Sequence, residues 1–252
     1  MKVQAPKRKV LVTGGCAGIG LAMVARFLDA GYRVGVVDKD VNLASNIINH
    51  HKQVDFCIRA DVSVGDDIDA ALRSIESEWN EIDVLLNNAG VSLREDLLNI
   101  TSASWDYVMN SNLKGAFFMA QQCAKLMLGQ ASGGCIINTA SVSGMVAMPG
   151  YLQYNISKAA VIHMTRCMAL ELAPRVRVNS ISPGYIMTPM QSAEYSMVQI
   201  EKCASKLPLQ RLGKPCEIAD MALFLASSQA GFITGQNFVV DGGEITGGLA
   251  SL

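Results

Sequence analysis

Thr13-Gly14-Gly15-Cys16-Ala17-Gly18-Ile19-Gly20 joins a short apolar run at residues 9–12 to a helical pattern over 21–30 that stops at Gly31. Residues 34–37 then read as a second strand ending at Asp38. Strand, glycine turn, helix and strand within about thirty residues make a βαβ unit. The glycines divide the labour. Gly14 allows a tight turn, Gly18 lets the backbone approach a pyrophosphate, and Gly20 lets helix and strand pack closely. The helix start that includes Ile19 offers free N–H groups and a positive dipole end to phosphates. Asp38 lies twenty residues beyond Gly18 and supplies the acidic partner this fingerprint requires, so the loop predicts dinucleotide binding. A carboxylate there accepts hydrogen bonds from the adenosine ribose and repels a 2′-phosphate, which selects NAD over NADP. Lys39 is the opposing feature and reads as a solvated turn residue.

The alternation continues outward from that unit. Residues 41–50 predict a helix, 54–59 a strand leading to Asp61, and 64–79 a helix. Residues 82–86 predict a strand closed by Asn87-Asn88-Ala89-Gly90. A long helix is expected over 103–128, a strand over 135–139 before Ser141, another long helix over 151–173, and a strand over 177–180 leading to Pro183-Gly184. Residues 188–212, rich in Met, Ser and Gln, read as an irregular substrate lid. A helix over 215–226 and a strand over 237–240 complete the pattern. Repeated βα units with near-continuous apolar strands imply an α/β fold: a doubly wound parallel sheet of Rossmann type, with helices on both faces. No linker, repeat or low-complexity segment interrupts it, so residues 1–252 read as one dinucleotide-binding and catalytic domain. Ligands bind at the carboxyl ends of such strands, where all the polar and glycine-rich signals fall.

Composition narrows the function classes. Half the residues are apolar and 17% are charged, which supports a large buried core. A net charge of −1 gives no reason to expect nucleic acid or an anionic membrane as partner. The amino-terminal residues run into the first strand without an apolar leader, which is read as cytoplasmic. Seven scattered cysteines without a C-x-x-C, and three histidines, assemble no metal site by local spacing. The cysteines are expected to be small buried hydrophobes in a reducing compartment, with Cys16 placed where a helix start lowers a thiol pKa. His163 is expected to be structural, and His50 and His51 to be loop residues.

Tyr154 and Lys158 are four apart and share one helix face, so they form a candidate acid–base pair. A fixed positive charge about 5 Å from a phenol, at an effective dielectric near 20, favours phenolate by about 3 kcal/mol. That moves a phenol of ordinary pKa near 10 toward efficient proton transfer. Tyr151 has Asn155 four residues later rather than Lys, so it is read as a packing or substrate-wall residue, as is Tyr185.

With the T-G-x-x-x-G-x-G loop, N-N-A-G, Ser141, Y-x-x-x-K and P-G in this order and spacing, the chain resembles the short-chain dehydrogenase/reductase family. The resemblance spans about residues 9–243. It implies that Tyr154 is the catalytic acid/base, Ser141 the hydroxyl that holds the substrate oxygen, and Lys158 the residue that lowers the Tyr pKa and binds the nicotinamide ribose. Asn112 matches the residue that positions a water in a proton relay. Gly14, Gly18, Ile19 and Gly20 match the phosphate loop, with Asp38 at the ribose. Asp61 and Val62 match the adenine contacts, and Asn88 and Gly90 the edge of the adenosine ribose. Ile186 and Thr188 match the carboxamide contacts. Ser111 departs from the family by replacing an apolar residue before Asn112. The implied activity is NAD-dependent interconversion of a secondary alcohol and its ketone, with a polyol, sugar or small hydroxy compound as substrate. The alternatives are an NADPH-dependent 3-oxoacyl-thioester reductase and a catalytically silent NAD-binding sensor. Family precedent implies a homotetramer, or a dimer, through residues 103–128, 151–173 and 237–240, with the glycine-rich tail at 242–248 reaching a neighbouring subunit.

Overall fold

Val10, Leu11 and Val12 are wholly excluded from solvent although they face opposite sides of their strand, β1 (Lys9–Thr13). A strand apolar on both faces requires a covering layer on each. The computed structural model describes residues 7–40, 54–194 and 196–247; the helix expected over 41–50, with His50 and His51, lies outside them. Six more strands follow: β2 (Arg33–Asp38), β3 (Val54–Arg59), β4 (Val84–Asn87), β5 (Gly134–Thr139), β6 (Val176–Pro183) and β7 (Asn237–Val240). They form one parallel sheet in the order β3-β2-β1-β4-β5-β6-β7. The chain builds outward from β1 through β2 to β3, then returns to start the other half at β4. Thr13 and Asn87 pair where the order reverses. A crevice opens at the carboxyl ends of strands that diverge in this way.

The helices are α1 (Gly18–Asp29), α2 (Gly65–Glu78), α3 (Ser102–Met109), α4 (Ala116–Gly129), α5 (Leu152–Leu172), α6 (Pro189–Glu194), α7 (Met197–Lys206) and α8 (Pro215–Ala226). On one face, Met23, Val24 and Phe27 of α1 and Ile218, Ala222 and Leu225 of α8 pack over Val10 and Val12. On the other, Ile68 and Ile75 of α2 and Met119 and Met127 of α4 pack over Leu11. The period-2 alternation of β1 thus feeds both cores. Among the described residues no helix is long and apolar enough to cross a membrane.

The expected element order holds, with instructive differences. The run expected over 103–128 is broken by a π-helical turn, Asn110–Gly115, between α3 and α4. Strand β6 continues to Pro183 rather than stopping at 180. Its Ser180 and Ser182 hydroxyls both donate to Asn237 Oδ1, so a buried segment reads as polar. Residues 188–212 are not irregular: they hold α6 and α7, the latter opened by a Ser196–Gln199 capping box. The residues seating α7, Ile200, Cys203, Ala204 and Leu207, fall at i, i+3, i+4 and i+7, so a helical period is present, weakened by the small Cys and Ala side chains. His163 is solvent-exposed on α5 rather than in its apolar packing.

Candidate active site

Helix α1 begins at Gly18 without a side-chain cap, so its first-turn N–H groups face a cleft of about 430 Å³ along the strand ends. Gly14 and Gly18 have φ of +64° and +54°, a region that only glycine enters without strain. A Cβ on Gly20 would overlap the Gly14 carbonyl oxygen, which explains the third glycine as a packing requirement. Ile19 and Gly18 line the cleft floor.

Asp38, at the end of β2, lines the same cleft. Its carboxylate accepts from the backbone N–H of Cys16 at 3.0 Å and of Asp40 at 3.0 Å, which ties the glycine loop to β2. Each oxygen keeps a lone pair for a further donor. Lys39 is exposed, and its ammonium lies 5.9 Å from the Tyr107 ring centroid rather than merely in solvent. Cys16 reverses its expectation. Its sulfur lies 3.8 Å from that of Cys57, and the hydrogen bond between them, burial and the Asp38 charge all push its thiol pKa up. The helix start is outweighed by the Cys57 contact, burial and the Asp38 carboxylate together. Nor are the cysteines uniformly buried, since Cys167 and Cys216 are exposed.

Asn88 is a clamp. Its carboxamide donates to the carbonyls of Thr13 and Gly14, both at 3.2 Å, while Thr139 Oγ1 donates to its oxygen. Asp61 turns its carboxylate onto the Ser63 N–H and hydroxyl, at 2.9 and 2.7 Å. Burial alone would raise that carboxyl, but the Ser63 bonds and the nearby Lys39 charge hold it below the usual range. Asp61 shapes the loop whose next residue, Val62, lies against Gly115; a Cβ there would strike the Val62 carbonyl oxygen.

Tyr154 and Lys158 project from one face of α5, with Nζ 5.8 Å from the phenol ring centroid. Lys158 is buried and donates to the Thr139 carbonyl at 2.8 Å. Burial pushes its pKa down to about 8, which still leaves it mainly cationic at neutral pH. Gly90 allows this approach: a Cβ there would meet Asn112 Oδ1 at 3.1 Å and Lys158 Nζ at 3.4 Å. Asn112 sits in the π-helical turn, a local distortion common at functional sites. Its side chain exchanges two hydrogen bonds with the Val91 backbone and donates to Ser157 Oγ. Ser111 is buried beside it and lines the cleft, so the departure from an apolar residue is accommodated. Ser141 Oγ accepts from the Ser143 N–H at 3.1 Å, leaving its own O–H to donate elsewhere. Ile186 is buried where its segment bridges Gly213, and the Thr188 side chain faces Gly18 across the cleft.

Every residue singled out from the sequence for the site therefore lies on or immediately beside one cleft, except that Asn88, Asp61 and Asn112 spend their side chains on scaffolding. Sequence reasoning missed Thr13, whose Oγ1 accepts from the N–H groups of Asn88 and Ala89 and fixes β1 to β4. Its place at the head of the glycine loop was the available signal. It also missed Glu244, which lines a cleft of about 90 Å³ shared with Ser141 and Tyr154. Nothing local in the glycine-rich tail pointed to it.

The family model described as enoyl-(acyl carrier protein) reductase matches residues 14–244. The chain is 37% identical over 241 residues to a 3-oxoacyl-(acyl-carrier-protein) reductase FabG of Staphylococcus aureus, covering 94% of this chain and 97% of the relative. The chain belongs to the short-chain dehydrogenase/reductase family. It is also 36% identical over 236 residues to an NAD-dependent glycerol dehydrogenase of Listeria innocua, covering 92% of each. A crystal structure of a short-chain dehydrogenase/reductase from Mycobacterium marinum superposes with a TM-score of 0.87 at 34% identity, covering 94% and 95% of the two chains. Membership of the short-chain dehydrogenase/reductase family makes the protein an oxidoreductase that binds a nicotinamide cofactor and acts on small molecules.

Proposed function

We propose that this short-chain dehydrogenase/reductase interconverts a secondary alcohol and its ketone with NAD(H), on a polyol, sugar or small hydroxy compound. The observation that carries the reading is the convergence of Ser141, Tyr154 and buried Lys158 on one wall of a cleft that Asp38 closes at its far end. The residues fit a dinucleotide: an uncapped helix start with no acidic residue in its first turn, a left-handed glycine beside it, and a carboxylate with spare acceptor capacity. Gly14, Gly18, Ile19 and Gly20 would hold the pyrophosphate, and Asp38, Asp61, Val62, Asn88 and Gly90 would border the adenosine. Lys158, Ile186 and Thr188 would border the nicotinamide end. Bound there, NAD supplies the hydride acceptor, or its reduced form the donor.

The chain's own groups do the rest. Ser141 donates a hydrogen bond from its hydroxyl to the substrate oxygen and fixes its position. Tyr154 removes the carbinol proton from that oxygen during oxidation and returns it during reduction. Lys158 favours the phenolate electrostatically, and its bond to Thr139 holds the charge in place. Asn112 Oδ1, which keeps one lone pair beyond its bond from the Val91 N–H, would hold a water on the proton's route to solvent. The assembly is read as a homotetramer through 103–128, 151–173 and β7; Phe117, Phe118, Leu152 and Ile156 on those helices are exposed in the single chain. The free cysteines suit a cytoplasmic setting.

The second reading, an NADPH-dependent 3-oxoacyl-thioester reductase, is favoured by the FabG relatives and is opposed by Asp38, which repels a 2′-phosphate. A panel of polyols, simple secondary alcohols and 3-oxoacyl thioesters, assayed with both NAD(H) and NADP(H), decides between them. Turnover of polyols with NAD supports the first reading, and NADPH-dependent thioester reduction as the leading activity overturns it.

A further inference from the structure

Two left-handed glycines, Gly242 (φ +65°) and Gly243 (φ +89°), turn the chain sharply after β7. Asp241 accepts from the Gly243 and Ile245 N–H groups, both at 2.9 Å, and so spends its carboxylate on fixing this turn. The turn sends Glu244 back into its own chain's substrate cleft, where the residue is only 5% exposed. Gly184 leaves the space: a Cβ there would sit 2.6 Å from Glu244 Oε2. The carboxyl takes a hydrogen bond from the Tyr185 backbone N–H, yet Oε2 has no partner among the described residues. A buried oxygen left unpaired is costly, so a carboxyl retained in such a place is explained by a partner brought from outside.

We infer that Glu244 is a specificity-determining residue that pairs with a second hydroxyl of the substrate, adjacent to the carbinol held by Ser141 and Tyr154. The inference rests on the alcohol/ketone reading above and narrows its substrate class to vicinal diols and their hydroxyketones. Three features favour a hydroxyl as the partner. Glu244 shares the cleft with Ser92, Ser143 and Gln191, all neutral and polar. Burial and the neighbouring Asp241 raise the carboxyl pKa to about 7, so near neutrality it pairs with a hydroxyl without enclosing a full charge. A hydroxyl both donates and accepts, and so satisfies either protonation state of the carboxyl. An acyl chain in this cleft, by contrast, would bury Oε2 against carbon.

The test uses the full-length protein with NAD and three substrates differing in one group: propan-2-ol, propane-1,2-diol and 1-aminopropan-2-ol. The wild type is expected to show kcat/KM for the diol at least tenfold above that for propan-2-ol, and Glu244→Met, which can neither donate nor accept a hydroxyl's bond well, to cut that ratio at least tenfold. An unchanged ratio in Glu244→Met overturns the inference, and a wild-type preference for the amino alcohol over the diol overturns the choice of hydroxyl. Should the wild type oxidise neither alcohol, the alcohol/ketone reading is decided by the wider panel above, and calorimetric titration of the NAD-loaded protein with propane-1,2-diol decides the inference: binding lost in Glu244→Met supports it, and binding absent or unaltered overturns it.

Discussion

The two ends of the cleft are built on different principles. The phosphate-binding part of the proposed cofactor end is made by residues 13–20, between β1 and the first turn of α1, and its geometry is mostly backbone. Left-handed Gly14 and Gly18, and Gly20 pressed on the Gly14 carbonyl, leave little room for substitution. The substrate end is assembled from Ser141, Tyr151, Tyr154, Tyr185, Met190, Gln191 and Glu244, which come from separate segments and act through side chains. One end is a packing requirement that is also the proposed cofactor site; the other is a pocket built from side chains beyond the strand ends.

The contrast breaks most sharply at Tyr154. Tyr154→Phe removes one oxygen at the junction of the two ends and is expected to lower kcat by about 10²- to 10⁴-fold. NAD binding, followed by titration, should be retained. Substantial retained turnover would refute the acid–base assignment.

Lys158 belongs to both ends and separates stability from activity. Its folded pKa, about 8, lies below the ordinary 10.5 because it is desolvated. Between those values the unfolded chain binds more protons, so stability rises with pH across that window, and the burial penalty is fully felt below pH 8. Lys158→Met is therefore expected to be more stable than wild type at pH 7, by at most about 3 kcal/mol before the lost Thr139 hydrogen bond is deducted. The advantage should shrink toward pH 10.5, while turnover is lost at every pH. Denaturant unfolding at pH 7 and pH 10 measures this, and a pH-independent difference would contradict it.

Gly20→Ala tests whether the cofactor end is a packing requirement. Its methyl would strike the Gly14 carbonyl and Asn88 Nδ2, at an expected cost of about 1–3 kcal/mol in thermal unfolding together with weaker NAD binding. Met190→Ala, at an exposed position on the substrate wall, should leave the melting temperature nearly unchanged. Equal losses in the two variants would remove the distinction between the ends.

The smallest effect is expected at Asp38. Asp38→Ala should narrow the NAD-over-NADP ratio by about tenfold, or about 1.4 kcal/mol, read from kcat/KM with each cofactor. An unchanged ratio would count against its ribose role. Because the Cys16 N–H loses its acceptor, some loosening of the glycine loop should accompany the change.

What could be read from the sequence follows this same division. Residues 9–38 declare the βαβ unit because strand period, glycine spacing and the acidic residue all lie within one local stretch. Tyr154 and Lys158 declare themselves because a helix places positions four apart on one face. Sequence alone thus determined the parallel α/β fold, the edge where the candidate site residues gather, and the candidate acid–base pair. Tertiary structure decided the rest, since those features depend on contacts between segments far apart in the chain. Cys16 is raised rather than lowered because β3 brings Cys57 against it, the packing buries it, and β2 adds the Asp38 charge. Helix α7 is seated where Ile200 and Leu207 find burial with Leu212 and Tyr185. Glu244 reaches the substrate cleft only because β7 and two left-handed glycines fold the tail back over Gly184. Local periodicity carries no information about which distant segment will supply a wall, and at the substrate end that choice is what sets the chemistry.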